Sequence, residues 1–228
     1  MRDLIFIHGA LGDSSQLKQF ADLFAGSFRV HVINLKGHGS DAADHFTMEG
    51  FVEQVRDFMR RSSISDAYFF GYSMGGYVAL SLASSDPERV SAIVTLGTKL
   101  HWSPEVADKE TAMLDPVKMT EKVPEFAHKL KLLHTGTGWE KVLRMTAALM
   151  RQLGESSLTK DDFAGITCRV LLLRGAKDRM VSYEETKHVA ELIPDASYLE
   201  LDQMPHPFEM VDQKMLFPVV SSFLASQE

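Results

Sequence analysis

The chain has 228 residues, 45% of them hydrophobic and 24% charged, and a formal net charge of −7 at pH 7. This length suits one domain with a full hydrophobic core and room for an insertion. The negative charge argues against nucleic acid or an anionic membrane as a partner. The single cysteine, Cys168, excludes an internal disulfide, and the apolar run around it predicts a buried side chain.

The beginning of the chain does not resemble a targeting segment. Only four apolar residues, 4–7, precede His8 and Gly9. No apolar run approaches the roughly 18 residues of a transmembrane helix. We therefore expect a cytoplasmic protein that has no membrane partner.

Strand and helix patterns alternate through the first hundred residues. Amphipathic or capped helices are predicted over residues 13–25 and 47–61, and another follows residue 76. Because the strands between them are mostly apolar, they indicate a parallel sheet covered by helices on both faces. The predicted strands cover residues 4–7, 28–35, 66–70 and 90–96.

The alternation breaks over residues 98–160, where no strand pattern occurs and helices are predicted for 123–133 and 139–153. This segment is too short for an independent core, so it is predicted to be a helical insertion in a core formed by residues 1–97 and 161–228. The sheet pattern then resumes. The predicted elements are strands at 168–173 and 197–201, a helix at 183–193, and a final helix at 208–224 that Pro218 kinks or splits.

The sequence Gly71-Tyr72-Ser73-Met74-Gly75-Gly76 lies between a predicted strand and a predicted helix. Strand, Gly-x-Ser-x-Gly and helix in that order indicate a nucleophile elbow, in which glycines let the strand and the helix pass closely. The Met74 amide at the helix N-terminus would face a developing oxyanion. The alternative is a glycine-rich turn with an incidental serine.

Two further residues give this serine a chemical role. Asp178 follows a strand and a glycine-containing turn, and His206 follows the last strand. Parallel strands end at one edge of the sheet, so we expect both side chains near Ser73. His206 would take the serine proton as general base, and Asp178 would fix the imidazole tautomer.

With these motifs, the chain resembles the α/β-hydrolase superfamily over nearly its whole length. The matching segments are His8-Gly9-Ala10-Leu11-Gly12, Gly37-His38-Gly39-Ser40, the elbow, Gly175-Ala176-Lys177-Asp178, and His206. The resemblance implies an α/β fold: a mostly parallel sheet of about six strands with helices on both faces and an inserted helical cap at 98–160.

The resemblance also implies the parts of an active site. These are a Ser73–His206–Asp178 triad and an oxyanion hole from the Met74 and Ala10 amides, with Leu11 as the alternative to Ala10. A cap in this family shapes the substrate pocket. We expect pocket contacts from Leu11, Tyr77, His101, Trp102 and Met145.

The chain departs from the family pattern in three places. Further strands commonly precede the His-Gly loop, and Asn34 stands where the family often has aspartate. Pro205 and Pro207 flank His206, where glycine commonly precedes the histidine. Because proline restricts its own φ and the preceding residue, we expect His206 to be held rigidly.

The predicted function is a serine hydrolase that cleaves an ester or thioester of a small to medium apolar acyl group, without a cofactor or metal. His8 and His38 are expected to bind the backbone, and among Asp3, Asp13, His8 and His38 no pair has the i, i+4 helical spacing of metal ligands. The expected partner is a small-molecule substrate, and the chain would be a monomer or a homodimer.

Two alternatives stay open. The first is a C–C bond hydrolase, or a lyase similar to the menaquinone-pathway synthase. That enzyme carries a carboxylate-binding arginine soon after its elbow, where this chain has Tyr77. The second is a non-catalytic, hydrolase-like ligand-binding protein.

Overall fold

A computed structural model describes residues 1–226. Its centre is a six-stranded, fully parallel sheet with the order β2-β1-β3-β4-β5-β6. This confirms the predicted parallel sheet and the number of strands. The strands are β1 (Asp3–Ile7), β2 (Arg29–Ile33), β3 (Ala67–Tyr72), β4 (Val90–Leu96), β5 (Arg169–Gly175) and β6 (Ala196–Leu201).

Helices follow the strands, and several begin at caps that the sequence provides. The Thr47 side chain accepts from the Gly50 amide at the start of the second helix, and Ser182 and Glu185 form a capping box at the ninth. The helices are α1 (Ser15–Asp22), α2 (Met48–Arg61), α3 (Met74–Ser85), α4 (Pro104–Thr111), α5 (Pro116–Lys122), α6 (Pro124–Leu133), α7 (Trp139–Glu155), α8 (Lys160–Ala164), α9 (Tyr183–Leu192) and α10 (Gln213–Ala225).

The sheet separates two hydrophobic layers. In β1, Ile5 and Ile7 face the layer that contains residues of α2, α3 and α9, whereas Leu4 and Phe6 face α1 and α10. Alternate residues of a strand point to opposite faces, which explains why a fully apolar strand is needed here. Burying each of these side chains contributes roughly 1.5–3 kcal/mol.

Helices α4 to α8 lie between β4 and β5, and we call residues 98–160, which contain α4 to α7, the helical insertion. It touches the core loops closely. The Gly136 amide donates to the Gly39 carbonyl over 3.2 Å, and a Cβ on Gly136 would lie 2.3 Å from the Ser40 carbonyl oxygen. A side chain at position 136 would therefore push the insertion away from the loop after β2.

Two parts of the helix prediction need correction. Two helices, α4 and α5, lie within residues 104–122. They begin at Pro104 and Pro116, because the missing N–H of proline costs nothing at a first helical position. The final helix begins only at Gln213, after a 3₁₀ turn at Phe208–Met210, and Pro218 lies inside it without splitting it.

The break in the last helix comes from a strong cap. The Asp212 side chain accepts from the Lys214 and Met215 amides, so α10 starts there. Burial of Leu216 and Val220 on both sides of Pro218 keeps the helix continuous. Within residues 1–226, no helix is long and apolar enough to cross a membrane.

Candidate active site

Ser73 occupies the turn between β3 and α3. Its backbone has φ 51° and ψ −117°, a conformation that costs about 1–3 kcal/mol for a residue with a side chain. The neighbouring glycines are sterically required. A Cβ on Gly71 would lie 2.4 Å from the Gly76 Cα, and one on Gly75 would lie 2.1 Å from the Ile7 carbonyl oxygen. The turn therefore brings α3 directly against β1 and β3.

Hydrogen bonds from the end of β4 hold this strained turn. The Ser73 amide donates to the Leu96 carbonyl over 2.8 Å, and the Thr98 hydroxyl donates to the Ser73 carbonyl over 3.0 Å. Both the donor and the acceptor of the Ser73 backbone are thus fixed by neighbouring structure.

Asp178 and His206 lie together beyond the carboxyl ends of β5 and β6. The His206 Nδ1 is 2.7 Å from the Asp178 Oδ2. The Asp178 Oδ1 accepts from the amides of Met180, over 2.8 Å, and Val181, over 3.0 Å. Because an ionised carboxylate only accepts, His206 donates through Nδ1 and leaves Nε2 free to take a proton.

The electrostatics keep Asp178 ionised. Burial by itself would raise the pKa of this carboxyl, but the hydrogen bond and charge of His206, with the two amides of the loop, outweigh burial and lower the pKa. An ionised Asp178 is the form that orients and stabilises an imidazolium at His206.

The backbone of His206 is anchored as well. Its carbonyl accepts from the Tyr72 hydroxyl over 2.9 Å, and the two rings lie 5.5 Å apart. Burial raises the pKa of Tyr72, so this hydroxyl keeps its proton and its donor role. Asp178 thus holds the His206 ring, and Tyr72 holds its carbonyl. Pro205 and Pro207 restrict the backbone on either side.

Ser73 and His206 line one cavity of about 50 Å³. The amides of Ala10 and Met74, which also belong to the lining, donate no hydrogen bond within the part of the chain that the structure describes. Ala10 follows β1 and Met74 follows β3, and the chain changes its direction of winding across the sheet between these two strands. Open α/β sheets bind ligands at such a point. The rest of the lining comprises Met48, Tyr77, Lys99, Trp102, Glu110, Thr146, Leu149, Met150, Leu153, Met180 and Val181.

The predicted pocket residues divide into two groups. Tyr77 and Trp102 line the cavity, whereas Leu11, His101 and Met145 do not belong to its lining among the described residues. The Leu11 carbonyl accepts from His134, His101 is exposed, and Met145 packs into the main core. Sequence spacing did not give the rotation of α7, which turns Thr146 rather than Met145 to the cavity.

A larger open groove of about 1010 Å³ lies between α4, α5 and α7. Its lining includes Trp139, Arg144 and Arg151 but neither Ser73 nor His206. Size therefore does not identify the reactive site, and the presence of the serine and the histidine does.

Several supporting residues went unrecognised in the sequence. A Cβ on Gly97, which has φ 61°, would lie 3.2 Å from both the Asp178 Oδ2 and the His206 Nδ1. Arg174 donates to the Asp178 and Val181 carbonyls, and Lys99 donates to the Met180 carbonyl. A glycine directly after a predicted strand was a usable signal for Gly97; the long-range contacts of the two cations had none.

His8 and His38 bind backbone groups, as predicted. The Leu35 amide donates to the His8 Nε2 over 3.0 Å, and the His38 Nδ1 is 3.2 Å from the Leu35 carbonyl. Burial lowers the pKa of His8 to about 4 and that of His38 to about 3, so both rings are neutral at pH 7. They form part of the scaffold beneath the loops after β1 and β2.

Comparison with known proteins agrees with this architecture. The profile of the alpha/beta hydrolase fold family matches residues 4–143. A pimeloyl-[acyl-carrier protein] methyl ester esterase of Vibrio cholerae is 24% identical over 91% of this chain and 88% of that protein. The same esterase from Vibrio campbellii is 29% identical, but the match covers only 45% of this chain and 39% of that protein.

Two further similarities are informative. A 2-succinyl-6-hydroxy-2,4-cyclohexadiene-1-carboxylate synthase of Shigella dysenteriae is 33% identical over 41% of this chain and 37% of that protein. The structure of a thermophilic esterase from Thermogutta terrifontis superposes with a TM-score of 0.80 at 20% identity, over 99% of this chain and 90% of that one. At this identity the superposition supports the fold.

Proposed function

Because the chain belongs to the alpha/beta hydrolase fold family, we propose that it is a serine hydrolase cleaving an ester or thioester through an acyl-enzyme on Ser73. The observation that carries the proposal is the joint geometry of three residues. Ser73 and His206 line one cavity, and the His206 Nδ1 lies 2.7 Å from the Asp178 Oδ2.

The reaction begins when the Ser73 Oγ attacks the carbonyl carbon and its proton passes to the His206 Nε2. The imidazolium then gives this proton to the departing alkoxide or thiolate, and the ester bond between Ser73 and the acyl group remains. In the second half, His206 takes a proton from water, the hydroxide attacks the acyl carbon, and Ser73 recovers its proton as the acid leaves.

The oxyanion of each tetrahedral intermediate would bind the Ala10 and Met74 amides. Two observations support this role. Neither amide has a hydrogen-bond acceptor among residues 1–226, and both residues belong to the cavity lining. Ala10 is favoured over Leu11, which lies outside that lining. Loss of one such donor typically costs about 3–4 kcal/mol of transition-state stabilisation.

The helical insertion would act as the cap over this site. It contributes four of the ten apolar residues of the lining, Trp102 and, from α7, Leu149, Met150 and Leu153. A small, largely apolar cavity supports a small acyl group, which would be held by burial more than by charge.

The lyase alternative has one observation in its favour, the similarity to the synthase over part of the chain. The position that would hold its arginine is Tyr77, whose hydroxyl accepts from the Leu158 amide over 2.7 Å. Lys99, a cation in the lining, lies near two carboxylates. Neither residue offers a free positive charge for a substrate carboxylate, and the ester hydrolase is the better-supported function.

Replacement of the nucleophile tests the proposal. Ser73→Ala should abolish turnover of p-nitrophenyl acetate and p-nitrophenyl butyrate while the circular dichroism spectrum stays unchanged. Ser81→Ala is the matched control, because Ser81 lies two turns further along α3, outside the cavity lining. Turnover retained by a folded Ser73→Ala protein would exclude Ser73 as the nucleophile, and binding without turnover by the wild type would favour a non-catalytic protein.

A further inference from the structure

Two buried hydrogen-bonding groups in the cavity lining lack a partner. The Thr146 hydroxyl and the Trp102 Nε1 make no hydrogen bond with any described residue, and both residues line the Ser73 cavity. Leaving such a group unpaired destabilises the folded protein. Buried polar groups nearly always have a hydrogen-bond partner. Two groups without one, in the lining of a cavity that also holds Ser73, therefore indicate a role in binding a ligand.

The position of Thr146 strengthens this interpretation. It lies in the middle of α7 and is 1% exposed. A threonine inside a helix often donates to the carbonyl four residues earlier, and here that bond is absent. The other lining residues on α7 are Leu149, Met150 and Leu153, so Thr146 is the one polar residue that this helix contributes to the described lining.

The charges around the cavity restrict which ligand these groups would bind. The Lys99 Nζ lies 3.5 Å from Glu110 and 3.6 Å from Glu185, and it donates to the Met180 carbonyl over 2.9 Å. One ammonium and two carboxylates leave this cluster with a net charge of −1, and two of its members, Lys99 and Glu110, line the cavity. It would repel an anionic acyl group, so the acceptor that meets Thr146 and Trp102 should be uncharged.

The cavity volume limits the acyl group further. The cavity holds about 50 Å³. One water needs about 10–15 Å³ by this measure, so the space corresponds to roughly three to five water-sized groups. That is room for a short acyl chain with one oxygen substituent.

We propose that Thr146 and Trp102 determine acyl specificity by donating hydrogen bonds to an uncharged hydroxyl or keto oxygen on a short acyl chain. The inference rests on the proposed function, since it concerns the acyl group that Ser73 would receive. It refines the expected apolar acyl group to one with a single neutral oxygen away from the scissile carbonyl.

The test compares esters that differ only at that oxygen. p-Nitrophenyl 3-hydroxybutyrate is paired with p-nitrophenyl 3-methylbutyrate, and p-nitrophenyl 4-oxopentanoate with p-nitrophenyl 4-methylpentanoate. We expect the wild type to prefer at least one oxygenated ester by about tenfold in kcat/KM, which corresponds to one or two net hydrogen bonds. p-Nitrophenyl hemisuccinate, which is anionic, should be the poorest substrate.

Variants assign the preference to residues. Thr146→Val and Trp102→Phe should each lower the oxygenated-to-alkyl ratio by about 3- to 10-fold, because each removes one donor. Thr146→Val is the cleaner test, since it nearly preserves shape, whereas Trp102→Phe also removes the five-membered ring of the indole. Ser81→Ala is the matched control. The Ser81 hydroxyl also has no hydrogen-bond partner in the described part of the chain, but Ser81 lies outside this cavity, so the ratio should not change. Thr146→Val should melt at or above the wild-type temperature, because it removes an unpaired group.

Four results would overturn the inference. The first is equal turnover of both members of each pair by the wild type, which would leave the serine hydrolase intact. The second is a preference that survives both substitutions, and the third is a marked loss of thermal stability in Thr146→Val, which would reveal a structural partner. The fourth is absence of turnover for every ester together with no fluorophosphonate labelling of Ser73, which would remove the proposed function as well.

Discussion

Replacing Asp178 by asparagine should disable the site through the histidine tautomer. The Asp178 Oδ1 accepts from the Met180 and Val181 amides, whereas Oδ2 binds the His206 Nδ1 over 2.7 Å. In Asp178→Asn the amide oxygen must stay on the two backbone N–H groups, because an NH₂ there would face two donors. The Asn NH₂ then faces His206, and Nδ1 must become the acceptor.

An imidazole that accepts through Nδ1 carries its proton on Nε2, where it cannot take one from Ser73. Loss of the correct tautomer in a serine triad lowers kcat by about 10⁴, equivalent to about 5.5 kcal/mol in the activation barrier. The substitution keeps the volume and both backbone hydrogen bonds, so the free energy of unfolding at pH 7 should change far less than the barrier.

The assay is steady-state hydrolysis of p-nitrophenyl butyrate, with urea denaturation as the measure of folding. Asp212→Asn is the matched control. Asp212 also accepts from two backbone amides, at the start of α10, but among residues 1–226 it has no hydrogen bond with a triad residue. It should retain wild-type kcat. If folded Asp178→Asn kept kcat within tenfold of the wild type, the tautomer argument would be refuted.

Three further predictions concern stability and geometry. The pKa values of His8 and His38 are lowered to about 4 and 3, so the unfolded chain binds their protons first as pH falls below 6.5. Each ring contributes about 1.4 kcal/mol per pH unit below its unfolded pKa, so the free energy of unfolding should drop by roughly 4 kcal/mol between pH 7 and pH 5. Urea curves with equal midpoints at both pH values would contradict this. Gly97→Ala should lower the free energy of unfolding by about 1–2 kcal/mol, measured by urea denaturation, because of the positive φ. It should also lower kcat about tenfold, because the new Cβ would press on Asp178 and His206, and a wild-type kcat would show that the two residues tolerate the methyl group. Lys99→Met removes the ammonium beside two mostly buried carboxylates, although Glu185 keeps its hydrogen bonds from the Leu100 and Ser182 amides. It should lower the unfolding free energy by about 2 kcal/mol, against a change under about 0.5 kcal/mol for the exposed control Lys18→Met, and equal effects would refute the difference.

The sheet and the elbow were predictable because their signals are local. A strand that is apolar at every position can only be buried on both faces, and β1 shows this with Leu4, Ile5, Phe6 and Ile7. Parallel strands end at one edge, and this rule predicted that residues following β5 and β6 would lie close together. The structure places Asp178 and His206 there, within hydrogen-bonding distance.

The features that sequence reasoning missed depend on packing between distant segments. Lys99, Glu110 and Glu185 come together because the insertion folds back over the loop after β4. Met145 was expected in the pocket, but its neighbour Thr146 belongs to the described lining. Adjacent residues of a helix point about 100° apart, so a small error in the orientation of α7 changes which of the two faces the cavity. No spacing rule gives that rotation before the partner of α7 is known.

The identity of the nucleophile is the claim on which the proposed chemistry depends. The most direct measurement treats the folded wild-type protein with a fluorophosphonate probe and locates the adduct by peptide mass spectrometry. The proposed mechanism predicts one adduct, on Ser73, and none in Ser73→Ala treated in the same way. A folded wild-type protein that gains no adduct, or that gains it on another serine, would contradict the assignment.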